Sequence, residues 1–124
     1  MSRGQPLRTA LENIGNKKLT TLSFLSQLFG GSRLKDALRK GAVIIDVRTP
    51  NEFDQGRVAD SINIPIDRIP VNATRIKEMN RPVIFCCSSG SRSGQAVSIM
   101  KSTGLKEVYN GGSWLDVMKL IKSI

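Results

Sequence analysis

Short apolar runs alternate with stretches of helical spacing along this chain. Val43 to Val47 and Pro82 to Cys87 are brief and almost wholly apolar, which predicts strands buried on both faces. Ser61 to Ile64 predicts a shorter strand with Asn63 inside it, broken by Pro65. Glu107-Val108-Tyr109-Asn110 predicts the last strand, with Gly111-Gly112 as the turn after it. Helices are predicted between the strands. Ser32 would cap one that carries Leu34, Ala37 and Leu38 and stops at Gly41. Pro50 suits the first turn of a short helix through Phe53 and Gln55. A connector over 66–70 leads to an irregular helix over 71–80. From Arg92, apolar Ala96, Val97 and Met100 recur at helical spacing until Gly104. Trp114, Leu115, Val117, Met118, Leu120 and Ile121 build a final helix whose stripe faces the core, Trp114 included. Strands and helices alternating at this spacing predict an α/β domain, a parallel sheet covered on both faces.

That domain is expected over 32–124, after an N-terminal extension over 1–31. Residues 1–16 mix Gly, Pro, Asn and charge, with at most a short helix around Leu7 to Ile14. Leu19 to Phe29 is too polar for the apolar heart of a signal peptide and too short to span a membrane. Leu22, Leu25, Leu28 and Phe29 fall on one helical face, which predicts an amphipathic helix that docks on the domain or on a partner. Gly30-Gly31 would end it and act as a hinge.

Charge sharpens this division. The net charge is +9, and residues 1–41 contribute +6 of it. The basic arm has neither an Arg-rich block nor interleaved aromatics, so it reads as a solvated segment with no nucleic-acid partner and no membrane attachment. The 124 residues hold no His and only two cysteines, which are adjacent. A zinc site and a long-range disulfide framework are therefore not expected, no cofactor is implied, and a reducing cytoplasm is the natural setting.

The candidate chemistry lies where the strand 82–87 ends. Ser88-Ser89-Gly90-Ser91 is all small residues, able to bend tightly with uncovered N–H groups, and a helix begins directly after it. The first N–H groups of a helix lack intrahelical partners and its N-terminus carries partial positive charge. A loop curled over that end makes an anion cradle. A thiol held there ionises more readily, and the thiolate is the nucleophilic form. Cys87 is the candidate nucleophile because the cradle starts immediately after it. Cys86 continues the strand and reads as core. Asp46 and Arg48 end the first strand, at the carboxyl edge where open α/β sheets place their sites, and are candidate supporting residues. Arg48 is expected to pair with Glu52 or Asp54 and hold the next turn.

Cys87-Ser88-Ser89-Gly90-Ser91-Arg92-Ser93 resembles the active-site loop of rhodanese-like sulfurtransferases, C-x-x-G-x-R-S/T. Asp46-Val47-Arg48-Thr49-Pro50-Asn51-Glu52-Phe53 resembles that family's D-V-R-x-x-x-E-F. The stretch from Gly56 to Pro65 resembles its G-H-I-x-G-A-x-N-I-P, and Val108 to Trp114 its closing V-x-x-L-x-G-G-x-x-x-W, with the Trp early. Arg57 stands where the family has His and Asp60 where it has its second Gly, departures expected to affect only a local turn.

The resemblance implies a three-layer α/β/α rhodanese-like fold with a mainly parallel central sheet, present as a single unit. It implies a sulfurtransferase that takes sulfane sulfur from thiosulfate or a persulfide and passes it, through a Cys87 persulfide, to a thiol, a protein or cyanide. The N–H groups of Ser89, Gly90, Ser91, Arg92 and Ser93 would stabilise the anionic sulfur, helped by the hydroxyls of Ser88, Ser91 and Ser93. Arg92 would either draw in an anionic donor or close the loop against its carbonyls or a strand-end carboxylate.

Two alternatives stay open in the sequence. Counted from Cys86, the loop has the Cys-x5-Arg spacing of tyrosine phosphatases, which would suit a phosphatase or arsenate reductase. Against it, Phe85 replaces the preceding His of that signature, Gly90 fits the register from Cys87, and no loop carboxylate offers a general acid. The other alternative is a persulfide carrier or docking module that uses the Leu22 to Phe29 face.

Overall fold

A computed structural model describes residues 31–124. The Leu22, Leu25, Leu28 and Phe29 face lies outside the described residues. Helix α1 occupies 31–39 and leads to β1 (Val43–Asp46), α2 (Pro50–Gln55) and β2 (Ile62–Asn63). Two 3-10 turns (Ile66–Arg68 and Pro70–Asn72) lead into α3 (Ala73–Glu78), then β3 (Val83–Cys87), α4 (Ser91–Ser102), β4 (Val108–Ser113) and α5 (Trp114–Lys122).

The four strands are parallel, in the order β2-β1-β3-β4. Strand β3 lies between β1 and β4, and all five of its residues are buried. Successive side chains point to opposite faces of a sheet, so the apolar runs feed two cores. Val43, Ile45, Val83, Phe85 and Cys87 pack with Ile76 of α3 and Ala96 and Met100 of α4. Ile44, Ile84 and Cys86 pack with Ala37 of α1 and Val117 of α5 on the other side. This is the three-layer α/β/α arrangement expected from the sequence, with a parallel central sheet.

Local chemistry sets the helix ends. Thr49 accepts the Glu52 N–H while the Glu52 carboxylate accepts the Thr49 N–H, a reciprocal capping box with Pro50 next in line. Ser113 accepts the Asp116 N–H and starts α5, whose last turn carries Lys119 and Lys122 against the helix dipole.

Three local features differ from, or refine, the sequence reading. Helix α1 already includes residue 31, so Ser32 is not its N-cap. Asp60 keeps a left-handed conformation, with φ of 65°, where the resembling motif has Gly. The third concerns Gly111-Gly112, which form no turn after the strand. Strand β4 runs through both to Ser113, and its register against β3 shifts between Phe85 and Cys87. Gly111 is there because of crowding. A Cβ on it would stand 2.7 Å from Val117, 2.8 Å from Ile84 and 3.1 Å from the Phe85 carbonyl oxygen.

Gly111→Ala is therefore expected to cost about 1–3 kcal/mol through overpacking. Urea denaturation measures this as a lower midpoint at unchanged slope.

Candidate active site

The pleat of β3 sorts the two cysteines. Cys87 points to the α4 side and Cys86 to the α1 and α5 side. Both thiols are free and buried. Burial pushes the Cys86 thiol up to about 12, and the Asp46 carboxylate adds to that. It is an inert core group. The Cys86-x5-Arg92 arrangement required for a phosphatase does not form, because Cys86 faces away from the loop.

Cys87 sits in a different environment. The Gly90 N–H donates to its Sγ at 3.0 Å and the Ser93 N–H at 3.4 Å, and the Ser93 hydroxyl lies 3.3 Å away. Burial pushes this thiol up. Hydrogen bonds to the ionised sulfur, from the Ser93 hydroxyl and the N–H groups of Ser93, Gly90 and Ser89, outweigh it, and the net shift is downward. Gly90 makes the geometry possible. Its φ of 101° turns the chain back over the sulfur, where a side chain would be strained and would press on Gly112 at 3.3 Å. Ser88, Ser89 and Ser91 are exposed around the buried sulfur.

Arg92 closes the loop. Its Nη1 and Nη2 donate to the two Glu52 carboxylate oxygens at 2.8 and 3.1 Å, and Nη2 also donates to the Ser88 hydroxyl at 3.1 Å. This bidentate pair holds α4 to α2, and it keeps the Glu52 carboxyl well below the usual carboxylate range. The partner is a helix carboxylate, and neither a loop carbonyl nor a strand-end acid takes that place. The Ser88 hydroxyl donates to Glu52 at 3.3 Å, so it serves this clamp.

Asp46 and Arg48 act one layer further in. Arg48 donates to the Asp46 carboxylate from Nε at 2.9 and 3.0 Å and from Nη2 at 2.7 Å, with both residues buried. The expected pairing with the Glu52 or Asp54 side chain does not occur, because the guanidinium folds back onto its own strand. It also donates to the carbonyls of Glu52 at 3.2 Å and Gly56 at 2.6 Å and lies over the Trp114 ring at 4.8 Å. The pair thus anchors both ends of α2, the helix that presents Glu52 to Arg92. Trp114 is half-buried and packs against Gly56 and Arg48.

Two residues escaped the sequence reading. Glu52 stands in the sequence as a motif residue and a candidate partner of Arg48, and nothing in spacing alone ties it to Arg92, 40 positions away. Asn110 was read as a strand end. Its amide reaches the loop, donating to the Gly90 carbonyl at 2.9 Å and accepting from the Ser93 hydroxyl at 2.7 Å. A polar amide inside β4, directly after Val108 and Tyr109, is the available signal. No group of three or more His, Cys, Asp or Glu among the described residues is placed to hold a metal. No helix among them is long and apolar enough to cross a membrane.

A family model for the rhodanese-like domain matches residues 31–114. The chain belongs to the rhodanese-like domain family. Thiosulfate sulfurtransferase PspE of Escherichia coli is 36% identical over 74 residues, covering 59% of this chain and 71% of that protein. Uncharacterized protein YqhL of Bacillus subtilis is 36% identical over 69 residues, and there the match spans only 54% of the relative's length. A solved structure described as rhodanese with anions from E. coli superimposes with a TM-score of 0.57 at 35% identity, over 61% of this chain and 91% of that one.

The raised Cys86 pKa predicts a pH dependence of stability. Above about pH 9 the unfolded chain loses this proton, while the folded chain keeps it until about 12. Folding is therefore penalised increasingly across that window and not below it. Any stability advantage of wild type over Cys86→Ala at pH 7 should shrink as pH rises past 9, as read by urea midpoints.

Proposed function

We propose that this protein is a sulfurtransferase that carries sulfane sulfur on Cys87. The observation that supports this best is the pair of N–H groups from Gly90 and Ser93 aimed at Cys87 Sγ, in a loop at the N-terminus of α4. Donors aimed at a buried sulfur favour its anion, and an anionic sulfur is what each half-reaction begins or ends with.

In the first half, Cys87 thiolate attacks the outer sulfur of a donor such as thiosulfate. The Cys87–sulfur bond forms, the donor's S–S bond breaks, and sulfite leaves with the bonding pair. In the second half, an acceptor nucleophile attacks the outer sulfur of the Cys87 persulfide. Cyanide becomes thiocyanate, or a thiolate becomes a persulfide, and Cys87 leaves as thiolate. No general base is required if the site has already ionised the thiol. The N–H groups of Ser89, Gly90, Ser91, Arg92 and Ser93 form the electrostatic cradle. Arg92 acts through its pairing with Glu52, as a clamp that keeps the loop folded. The likeness to an E. coli rhodanese described with anions supports a cradle that takes small anionic donors. The two free thiols fit a reducing cytoplasm.

Steady-state formation of thiocyanate from thiosulfate and cyanide tests this reading. Parallel double-reciprocal lines are expected, the sign of a covalent intermediate. Cys87→Ser should lose at least about a thousandfold in turnover, and Cys86→Ala should stay within about threefold of wild type. Turnover surviving in Cys87→Ser, or lost in Cys86→Ala that remains folded, would overturn it. Sulfur loading of Cys87 without turnover would favour a carrier.

A further inference from the structure

The Asn110 amide has only one orientation open to it. Its Nδ2 faces the Gly90 carbonyl at 2.9 Å, and its Oδ1 faces the Gly112 N–H at 2.9 Å. Rotating the amide by half a turn would set oxygen against oxygen and N–H against N–H. The two backbone groups thus fix Oδ1 as the atom that meets the Ser93 hydroxyl at 2.7 Å. Oδ1 carries no proton, so the Ser93 hydroxyl must be the donor. A hydroxyl has one proton to give. The 3.3 Å contact between Ser93 Oγ and Cys87 Sγ is then a bond in which the thiol S–H donates and the hydroxyl accepts. As drawn, the side-chain network suits the neutral thiol.

We propose that Asn110 is a positioning residue that competes with Cys87 for the Ser93 hydroxyl proton, so that Ser93 turns onto the sulfur only when Cys87 is a thiolate. When Cys87 ionises, its proton passes to solvent and the hydroxyl swings from Oδ1 to Sγ. Oδ1 keeps the Gly112 N–H as a partner, so the swing leaves no acceptor bare. This deepens the sulfurtransferase reading and rests on it for its use in turnover. Cys87 is a thiolate as nucleophile in the first half-reaction and as leaving group in the second. Between them its Sγ is neutral, singly bonded to Cβ and to the outer sulfur, and the hydroxyl returns to Asn110. The device would stabilise Cys87 at the two moments when it bears charge.

The groups near Cys87 that titrate or carry charge are few. They are Cys86 on β3, Arg92 on α4 and Glu52 on α2, with the Asp46–Arg48 pair behind them at the end of β1 and Asp116 of α5 beyond Gly112. None of them contacts the Ser93 hydroxyl, so their effect is common to all the variants below.

The test measures Cys87 ionisation, and it needs no sulfur transfer. In a Cys86→Ala background, the pH midpoint for alkylation of Cys87 is compared with and without Asn110→Leu, which fills the space of the amide without offering an acceptor. The competition predicts a midpoint lower by about one pH unit, the scale of one hydrogen bond to a charged group. It also predicts no such shift when Ser93→Ala is already present. If Asn110 merely bolts the loop to β4, its loss loosens the cradle and the midpoint rises. A rise, no change, or an equal fall in the Ser93→Ala background would overturn the proposal. A second measurement covers a variant that fails to fold. Below the midpoint, the S–H stretching band of Cys87 in the Cys86→Ala protein should lie at lower frequency than in Cys86→Ala with Ser93→Ala, as a donating thiol requires. An unshifted band would also overturn it. Failure of these tests leaves thiocyanate formation untouched, so the two readings fail separately.

Discussion

A strand sends successive side chains to opposite faces of its sheet, and in β3 that pleat divides two thiols that are covalent neighbours. Everything chemical in the domain follows from which thiol goes where. Cys86 enters the core beside Ile84 and Val117, where burial and the nearby Asp46 carboxylate keep it protonated. Cys87 comes out against α4, where backbone N–H groups meet it. One residue of register separates a thiol buried in the apolar core from one met by backbone N–H groups. Because β3 is held by parallel partners on both sides, that register has little freedom to slip.

The site is then built outward in layers of decreasing burial. The Asp46–Arg48 pair is buried beneath α2 and ties that helix down at the carbonyls of Glu52 and Gly56. Removing one member of such a pair leaves a buried charge alone, at a cost of about 3–5 kcal/mol. Its role is therefore best described as fixing α2. That helix in turn offers Glu52 to Arg92, in a half-exposed pair whose value lies in geometry more than in net stability. Arg92 closes the loop that carries the N–H groups. The charged side chains position one another, and the uncharged backbone faces the sulfur.

The sheet and the loop were legible in the sequence because both rest on local signals. Two apolar runs and two shorter stretches of mixed character mark the strands, and the Ser and Gly run after Cys87 marks the loop. The less legible parts depended on contacts between distant segments. Arg48 had three acids nearby in sequence, and only the fold shows that it turns back to Asp46. Gly111-Gly112 have the composition of a turn, but Gly111 is small because Val117 and Ile84 crowd it. Asn110 and Ser93 are 17 positions apart, and their bond exists only because α4 and β4 flank the same end of β3. Asp60 shows the limit of motif matching in the other direction, since the backbone keeps a glycine-like φ without the glycine.

The central claim is that sulfur is held covalently on Cys87, and intact mass after incubation with thiosulfate tests it most directly. Wild type and Cys86→Ala should each gain the mass of one sulfur atom, removable by cyanide, and Cys87→Ser should gain none. Sulfur carried by Cys87→Ser, or a gain that requires Cys86, would contradict the account.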